Sequence, residues 1–209
     1  MLQTTDTIIC KHLGLLPYAK TLAAMQEFTL HRNDNTKDEI WFLQHEAVFT
    51  QGQAGKQEHI LNPGNIPVIQ SDRGGQVTYH APGQLIVYLL INLKKRNINL
   101  RSFVTILESS VINLLKELGI HANANTQAPG VYISGAKICS IGVRIKKGCS
   151  YHGLSLNVDL DLEPFSRINP CGYKDLKITQ IKNFNKDISL TTVANLLEKC
   201  LIEKIAHLS

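Results

Sequence analysis

The sequence predicts a mixed α/β fold, or an α+β fold around one largely antiparallel sheet. First, segments with the two-residue period of strands interleave with segments of helical period. Second, two strand-like runs flank a Ser134-Gly135 turn, which is typical of an antiparallel hairpin. Third, the 209 residues are 44% hydrophobic and lack an internal repeat or a linker-like tract. We therefore expect one domain over residues 1–209.

The first third of the chain is predicted to alternate between strand and helix. Residues 7–13 form a strand in this prediction, and Pro17 suits the first position of a helix over residues 18–30. A second strand is expected at residues 40–43. Residues 50–67 are rich in Gly, Gln and Pro, which predicts a long loop with one short helical turn.

The middle of the chain is predicted to contain three strands, at residues 67–69, 77–80 and 85–92. Ser102 can cap a helix over residues 103–118, which has apolar residues along one face. Gly119 stands where the left-handed residue after a helix is expected.

The last third is predicted to begin with strands and to end with a helix. Its strands are expected at residues 131–133, 137–145 and 151–158. Residues 159–177 have no regular pattern, and Ser189 can cap a final helix over residues 190–207.

The charge distribution limits the possible partners. The formal net charge is +5, with basic clusters at residues 94–96 with Arg101, and at Arg144, Lys146 and Lys147. These clusters are either an ordinary solvated surface or a patch that steers an acidic partner. They are short, not interleaved with aromatic residues, and match no nucleic-acid motif, so a nucleic-acid partner is disfavoured.

The cysteines and the apolar runs indicate a cytoplasmic protein. The chain has five cysteines at irregular spacing and no Cys-x-x-Cys pair, which argues against a disulfide framework or a zinc site. Free thiols indicate a reducing compartment. The first residues lack a secretory-signal pattern, and the apolar run at residues 85–91 is too short to span a bilayer.

Two of the cysteines are candidate nucleophiles. The other three lie in apolar segments and are expected to be buried and inert: Cys10, Cys139 and Cys200. Cys149 follows two lysines and precedes His152, whereas Cys171 lies between Pro170, which stiffens a turn, and Gly172, which leaves room for a substrate carbonyl. From the residues alone the two remain rivals, and a Pro-Gly loop that merely contains a cysteine remains open.

Lys137 is the second candidate for chemistry. Strict alternation along the predicted strand places Lys137 on the apolar face with Cys139. Ser140 and Gly142 are then expected to face the other way. A buried lysine is costly unless it is paired, so it either reaches water at the strand end or meets a thiol. Charges about 4 Å apart at an effective dielectric of about 20 interact by about 4 kcal/mol, which would favour a thiolate.

A glycine-containing run at residues 73–84 is the third candidate. Gly74 and Gly75 precede an extended segment and would let a ligand lie against the backbone. The spacing matches neither a phosphate-binding loop nor a dinucleotide fingerprint. His80 and His152 are either structural hydrogen-bonding residues or acid–base groups, and they lack zinc-ligand spacing.

The chain resembles the lipoyl(octanoyl) transferase family in four runs of residues. They are 45–54 (HEAVFTQGQA), 73–84 (RGGQVTYHAPGQ), 129–144 (PGVYISGAKICSIGVR) and 148–172, which contains SYHGLSLNV and NPCG. The resemblance implies an acyltransferase that moves an octanoyl group from acyl carrier protein to lipoate-dependent proteins. It also implies the fold of the biotin and lipoate protein ligase catalytic domains, a mixed, mainly antiparallel sheet flanked by helices.

The resemblance also implies roles for particular residues. Cys171 would carry the acyl group as a thioester, which favours it over Cys149, and Lys137 would stabilise its thiolate. Substrate would be bound by Arg73, Gly74, Gly75, Gln76, Val77, Thr78, Tyr79, His80, Ser140, Ile141, Gly142, His152, Gly153, Leu154 and Ser155. Two departures from the family pattern are Ala81, where glycine is usual, and Ser155, where alanine is usual.

The implied partners are octanoyl-acyl carrier protein and apo lipoyl domains. The latter are those of 2-oxoacid dehydrogenase E2 subunits and the glycine cleavage H protein. The resemblance implies a monomer that needs no cofactor or metal and binds neither nucleic acid nor membrane. Two alternatives remain at this stage: an ATP-dependent lipoate–protein ligase on the same fold, and a non-catalytic protein that binds acyl carrier protein. A papain-like hydrolase is disfavoured because its order of Cys, His and Asn is missing.

Overall fold

A computed structural model describes residues 8–125 and 128–206 of the chain. Its helices are α1 (Tyr18–Leu30), α2 (Leu100–Glu117) and α3 (Leu190–Ala206). The strands, in chain order, are β1 (Ile9–Leu16), β2 (Glu39–His45), β3 (Val48–Gln51), β4 (Val68–Gln70), β5 (Val77–His80), β6 (Gln84–Leu90), β7 (Asn123–Ala124), β8 (Gly130–Ile133), β9 (Ala136–Lys146) and β10 (Cys149–Asn157). Among the residues so described, no helix is long and apolar enough to cross a membrane.

The main sheet has seven strands in the order β1-β2-β6-β10-β9-β8-β7. Only the β1–β2 pair within it is parallel, and the five other neighbouring pairs are antiparallel. The expected mixed, mainly antiparallel sheet is therefore confirmed. The hairpin around Ser134 and Gly135 is also confirmed, since Ile133 pairs with Ala136.

A second sheet, which the sequence did not predict, has three strands in the order β4-β3-β5. β3 was missed because it overlaps the start of the Gly-rich segment that was expected to be a loop, whereas its partners β4 and β5 fall on strands that were expected. This sheet encloses a separate core around Phe49, Tyr79 and Phe165. The helical turn expected in the same segment is confirmed at Gln57–His59.

The helices cover both faces of the main sheet. α2 and α3 pack together on one face, over a large core that includes Leu89, Phe103 and Leu201. α1 lies on the other face, where Met25 packs with Trp41, Tyr88 and Tyr151. The face covered by α1 also carries the site described below.

The helix ends differ in one respect from the prediction. α2 begins one turn early, because the Asn99 side chain accepts a hydrogen bond from the Ser102 backbone N–H at 2.9 Å. Asparagine is at least as good a cap as serine, so the assignment of Ser102 as the cap was wrong. Gly119 does adopt the left-handed conformation, with φ of 74°. Ser189 does cap α3, since its hydroxyl accepts from the Thr192 N–H at 3.0 Å, and residue 207 lies outside the described residues.

Candidate active site

A cavity of about 400 Å³ lies between the loop before β5, strands β9 and β10, and the turn that carries Cys171. It is lined by nearly all of the expected site residues: Arg73, Gly74, Gly75, Gln76, Val77, Thr78, His80, Lys137, Ser140, Ile141, Gly142, His152, Gly153, Leu154, Ser155 and Cys171. Tyr79 is the exception. It alternates to the other face of β5 and packs with Phe49 and Phe165 in the core of the small sheet.

Lys137 and Cys171 are in direct contact at the cavity wall. The Lys137 Nζ donates a hydrogen bond to the Cys171 Sγ at 3.1 Å, although the two residues are 34 positions apart. Lys137 is 2% exposed. Burial acts to lower the pKa of Lys137, but the Cys171 sulfur and Tyr132 outweigh it, and the net pKa is raised. The lysine is therefore an ammonium group held against a sulfur.

A β-bulge aims Lys137 at this site. Cys139 pairs with Val131 and Lys137 pairs with the next residue, Tyr132, so Ile138 is an extra residue in β9. Ile138 and Cys139 both enter the core beneath α2, and Lys137 turns to the opposite face. The strict alternation predicted for this strand was wrong here. The bulge places Lys137 on the same face as Ser140 and Gly142, which line the same cavity.

The Cys171 turn is held in place by a hydrogen bond from a neighbouring segment. It is a short 3₁₀ turn, Pro170–Gly172, in which Cys171 has an unusual positive φ of 56°. The preceding Asn169 donates its backbone N–H to the His59 carbonyl at 2.8 Å. The segment around His59 thus helps to fix the position of the Cys171 turn.

Gly130 provides the space in which the Lys137 side chain lies. It has φ of 141°, and a Cβ added there would lie 2.4 Å from the Cys139 carbonyl oxygen and 2.6 Å from Lys137 Cε. The lysine can reach Cys171 only because this position on β8 has no side chain. Gly130 lies in the run 129–144 that carries the family resemblance. Its role could not be inferred from the sequence, because the bulge in β9 is what directs Lys137 to this side of the strand.

Gly130→Ala is expected to displace Lys137, with about 1–3 kcal/mol of strain, and to slow the acyl transfer expected from the sequence at least about tenfold. Gly119→Ala is the matched control, because Gly119 also has a positive φ of 74° but no atom within 4 Å of the added Cβ. It should lose stability without losing rate per folded molecule. Urea unfolding and single-turnover rates separate the two effects, and equal rate losses in both variants would contradict this role.

Arg73 organises the loop next to the cavity. Its buried guanidinium donates to the Thr50 carbonyl oxygen at 2.6 Å and to the Gln76 carbonyl oxygen at 2.8 Å. Burial is the main cause that lowers the pKa of Arg73. All acceptors that it reaches within the described structure are neutral oxygens. Among the described residues no carboxylate hydrogen-bonds to this guanidinium, and its charge makes the cavity more favourable for anions.

Gly74 allows the same loop to approach β9 closely. Its backbone N–H donates to the Val143 carbonyl at 3.1 Å. A Cβ on Gly142 would lie 3.0 Å from the Gly74 carbonyl oxygen. The glycines were expected to admit a ligand, and in the structure they also bring the loop backbone onto β9. Ala81, by contrast, is not among the described residues with positive φ, so alanine is unstrained at that position.

Two of the histidines near the cavity are held neutral. His45 Nδ1 contacts the Leu16 carbonyl at 2.8 Å, so it carries the proton, and its Nε2 accepts from the Tyr88 hydroxyl at 2.7 Å. Burial is the main reason that the pKa of His45 falls to about 4. Burial likewise holds the pKa of His80 well below its usual value.

The polar atoms of His80 and Tyr18 are bonded to other protein groups. His80 Nδ1 contacts Gln84 Oε1 at 2.7 Å and its Nε2 contacts the Thr50 hydroxyl at 3.1 Å. The Tyr18 hydroxyl lies 2.7 Å from the Ser71 hydroxyl. Because the polar atoms of both side chains already have hydrogen-bond partners in the protein, the two rings present mainly apolar faces to the cavity.

His152 anchors the loop before β5, which carries Asp72, to β10. Its positive φ of 60° is accompanied by stacking of its ring on Tyr151, with centroids 5.0 Å apart. The His152 Nε2 lies 2.8 Å from Asp72 Oδ1, and Tyr151 and Gln26 also donate to this carboxylate. Burial would raise the pKa of Asp72, but these three donors hold it well below its ordinary value. Burial lowers the pKa of His152, which stays neutral.

Cys149 is not part of this site. It is 6% exposed at the start of β10 and does not line the cavity. Burial is the main cause that raises its pKa, as it is for Cys139, whose pKa rises to about 12. His152, the base expected near Cys149, is instead bonded to Asp72. The geometry therefore brings Lys137 to Cys171 and not to its rival.

Several residues of the cavity wall were missed by the sequence analysis. They are Tyr18, Ile86, Tyr88, Leu100, Val104, Ala128, Pro129, Val143 and Tyr173. Most are apolar residues of strands and helices, which look like ordinary core positions in a sequence. The tyrosine in the apolar run of β6 was the one available signal, because a buried tyrosine needs a hydrogen-bond partner.

The chain matches a family of known proteins over most of its length. Residues 17–202 match the family model described as the lipoyl protein ligase A/B catalytic domain. The chain is 56% identical over 192 residues to the octanoyltransferase of Erwinia tasmaniensis, covering 92% of this chain and 86% of that protein. It is also 56% identical over 197 residues to the octanoyltransferase of Escherichia coli O139:H28, covering 94% and 92%.

Solved structures share the fold at low sequence identity. A crystal structure of lipoate-protein ligase A bound with ATP has a TM-score of 0.81 at 17% identity, covering 94% of this chain and 85% of that one. Biotin protein ligase from Aquifex aeolicus has a TM-score of 0.57 at 15% identity, covering 95% and 68%. These similarities confirm the expected biotin and lipoate ligase fold.

Proposed function

The chain belongs to the lipoyl protein ligase A/B catalytic-domain family and is an acyltransferase that transfers octanoyl groups, and we propose that it does so through a thioester on Cys171. The observation that carries the proposal is the 3.1 Å contact between Lys137 Nζ and Cys171 Sγ. A thiol is a weak nucleophile until it is deprotonated, and an adjacent ammonium stabilises the thiolate.

The first half-reaction acylates the enzyme. The Cys171 thiolate attacks the carbonyl carbon of an octanoyl thioester, a new carbon–sulfur bond forms, and the donor's carbon–sulfur bond breaks. The departing thiolate takes a proton from the Lys137 ammonium. The uncompensated charge of buried Arg73 favours the anions formed along this path.

The second half-reaction depends on the charge lost in the first. Once Cys171 is acylated, the sulfur no longer raises the pKa of Lys137, while burial still lowers it. Lys137 is then suited to accept the proton from the attacking lysine amine of the acceptor. Amide formation releases the Cys171 thiolate, and the ion pair is restored.

The cavity suits a medium-length acyl chain. Its volume of about 400 Å³ is within the range of small-molecule pockets. Ile86, Leu154 and the ring faces of Tyr18 and Tyr88 provide apolar wall. Burial of each CH₂ group contributes about 0.8 kcal/mol, so the tail supplies much of the binding energy.

The proposed donor is octanoyl-acyl carrier protein, and the proposed acceptors are apo lipoyl domains. The names of the relatives support octanoyl transfer, and one similar structure is an archaeal lipoate protein ligase with its E2 lipoyl domain. The five cysteines are free, which supports a reducing, cytoplasmic location for the reaction.

Intact-mass spectrometry tests the thioester. Incubation with octanoyl-acyl carrier protein alone should add one octanoyl group to the enzyme, and adding an apo lipoyl domain should move that group to the domain. Transfer without a detectable enzyme adduct, or transfer only from free octanoate with ATP, would contradict the proposal.

The two basic clusters of the sequence form one surface patch. The Lys94 backbone N–H donates to the Gly148 carbonyl at 3.1 Å, so the turn with Lys94 and Lys95 adjoins the turn with Lys146 and Lys147. Arg96 is not part of the exposed patch, because it is 8% exposed and bonds to Asp38. Leu100 and Val143 are only a few residues from the patch in the sequence, and both line the cavity. The patch is therefore well placed for an acidic donor protein that delivers its acyl group to the cavity.

Lys94→Glu combined with Lys147→Glu is expected to raise the KM for octanoyl-acyl carrier protein about tenfold and to leave kcat unchanged. The effect should shrink at high salt, because exposed charges are screened. Octanoyl-pantetheine, which lacks the protein surface, is the control substrate and should be unaffected. An unchanged KM for the carrier protein at low salt would contradict the steering role.

A further inference from the structure

A second cavity lies beside the catalytic pair. This groove, of about 750 Å³, is lined by Asn123 of β7, Tyr132 of β8, the Ser134 turn, and residues 173–177. Ala128 and Tyr173 line both the groove and the acyl cavity. The two cavities therefore meet at the residues around Cys171. We refer to the second one as the β7 groove.

Two tyrosines link the β7 groove to the Lys137–Cys171 pair. Lys137 Nζ lies 5.3 Å from the centroid of the Tyr132 ring, and Tyr132 also lines the groove. Tyr173 is 48% exposed and follows the nucleophile turn directly. Tyrosine rings pack well on the aliphatic stem of a lysine and attract its ammonium group. The Tyr132 ring already faces Lys137, and the exposed ring of Tyr173 is suited to pack on the stem of an acceptor lysine.

The order of the two half-reactions requires a second approach to the sulfur. After the first transfer, the octanoyl chain on Cys171 occupies the acyl cavity. The attacking amine must then reach the thioester carbon from another direction, with its own protein attached. The β7 groove lies on the free edge of the main sheet, since β7 is the last strand. Its neighbouring Asn123, Lys174 and Lys177 are exposed, so a protein surface can approach it.

We propose that the β7 groove binds the lysine-bearing segment of the acceptor domain, and that donor and acceptor therefore dock on different sides of Cys171. The inference rests on the proposed function, because it assigns a partner to the second half-reaction of the same site. The donor approaches from the side of the basic patch, and the acceptor lysine enters between Tyr132 and Tyr173.

Filling the groove should block the second half-reaction alone. Asn123→Trp adds bulk to one wall of the groove without touching the acyl cavity. Leu15→Trp is the matched control, because Leu15 is 51% exposed on β1 at the opposite edge of the sheet. Lys174→Trp, on the other wall, is the second test variant and carries the test if Asn123→Trp does not fold.

The experiment follows enzyme that is first loaded from octanoyl-acyl carrier protein. The octanoyl group is then discharged in a single turnover, either to an apo lipoyl domain of an E2 subunit or to hydroxylamine. Groove variants should acylate, and should react with hydroxylamine, within about twofold of the wild type, while transfer to the domain falls about tenfold or more. Leu15→Trp should match the wild type in all three reactions.

The possible results separate the inference from the proposed function. If the groove variants acylate normally and still discharge to the lipoyl domain at the wild-type rate, the acceptor assignment is overturned. Equal loss of discharge to hydroxylamine and to the domain would also overturn it, because the substitution would then act on the thioester itself. If even the wild type forms no octanoyl-enzyme, the thioester proposal fails first, and the acceptor assignment fails with it.

Discussion

Replacing Cys171 with serine is expected to abolish the octanoyl-enzyme and to reduce octanoyl transfer by about 10⁴-fold or more. Serine has nearly the same shape, so the turn that begins at Pro170 should keep its conformation. Its hydroxyl, however, is far harder to deprotonate than a thiol, and the neighbouring ammonium of Lys137 cannot make up the difference. The loss would therefore be one of chemistry rather than of folding.

Cys149→Ser is the control for this loss. Cys149 is buried and burial raises its pKa, so its removal should leave acylation unchanged. Peptide-level mass spectrometry after incubation with octanoyl-acyl carrier protein locates the acyl group in each variant. An adduct that persists in Cys171→Ser and disappears in Cys149→Ser would reverse the assignment of the nucleophile.

Replacing Lys137 with methionine is expected to slow acylation by about 10²–10⁴-fold. Methionine fills a similar space but provides neither the charge that stabilises the thiolate nor the proton for the leaving thiol. Labelling of Cys171 by iodoacetamide should consequently be slower in this variant than in the wild type. Equal labelling rates would show that Lys137 does not activate the thiol.

Lys137→Arg distinguishes the two proposed roles of the lysine, which are to stabilise the thiolate and to accept the proton of the attacking amine. A guanidinium keeps the positive charge beside the sulfur but does not lose its proton in proteins. The thiolate should therefore remain available to iodoacetamide, while discharge of the octanoyl-enzyme to an amine should fall about as far as in Lys137→Met, by about 10²-fold or more. Normal discharge in Lys137→Arg would mean that another group accepts the proton of the amine. Single-turnover rates from preloaded enzyme measure this step.

Much of the fold could be predicted from short-range patterns in the sequence. α1 begins and ends where the sequence placed it, and β5 was predicted residue for residue, because periodicity and helix-end residues act over short distances. The small sheet was missed because β3 was not recognised next to the Gly-rich segment predicted as a loop, although its partner strands β4 and β5 were both predicted. Short strands such as β3 gain their stability from neighbours that are distant in the sequence.

The site was predictable in its chemistry but not in its geometry. The Cys171 turn and the Lys137 strand could be selected because thiols on turns and buried ammonium groups are unusual. Their contact could not be derived, since it joins residues 34 positions apart. Tyr132 was missed for the same reason. Its relation to Lys137 exists only through the register of β8 on β9.

The single extra residue in β9 makes the spacing within this strand as important as its composition. After Ile138 in the chain, the odd-numbered positions of β9 pack in or against the hydrophobic core. Before it, Lys137 points toward the Cys171 sulfur. Removing Ile138 would take out the bulge and leave only Cys139 between Lys137 and Ser140, so ordinary alternation would still place these two residues on one face. Its loss would therefore cost packing beneath α2 rather than turn the lysine inward, whereas a strand that keeps both Ile138 and Cys139 without the bulge would bury the lysine in the core.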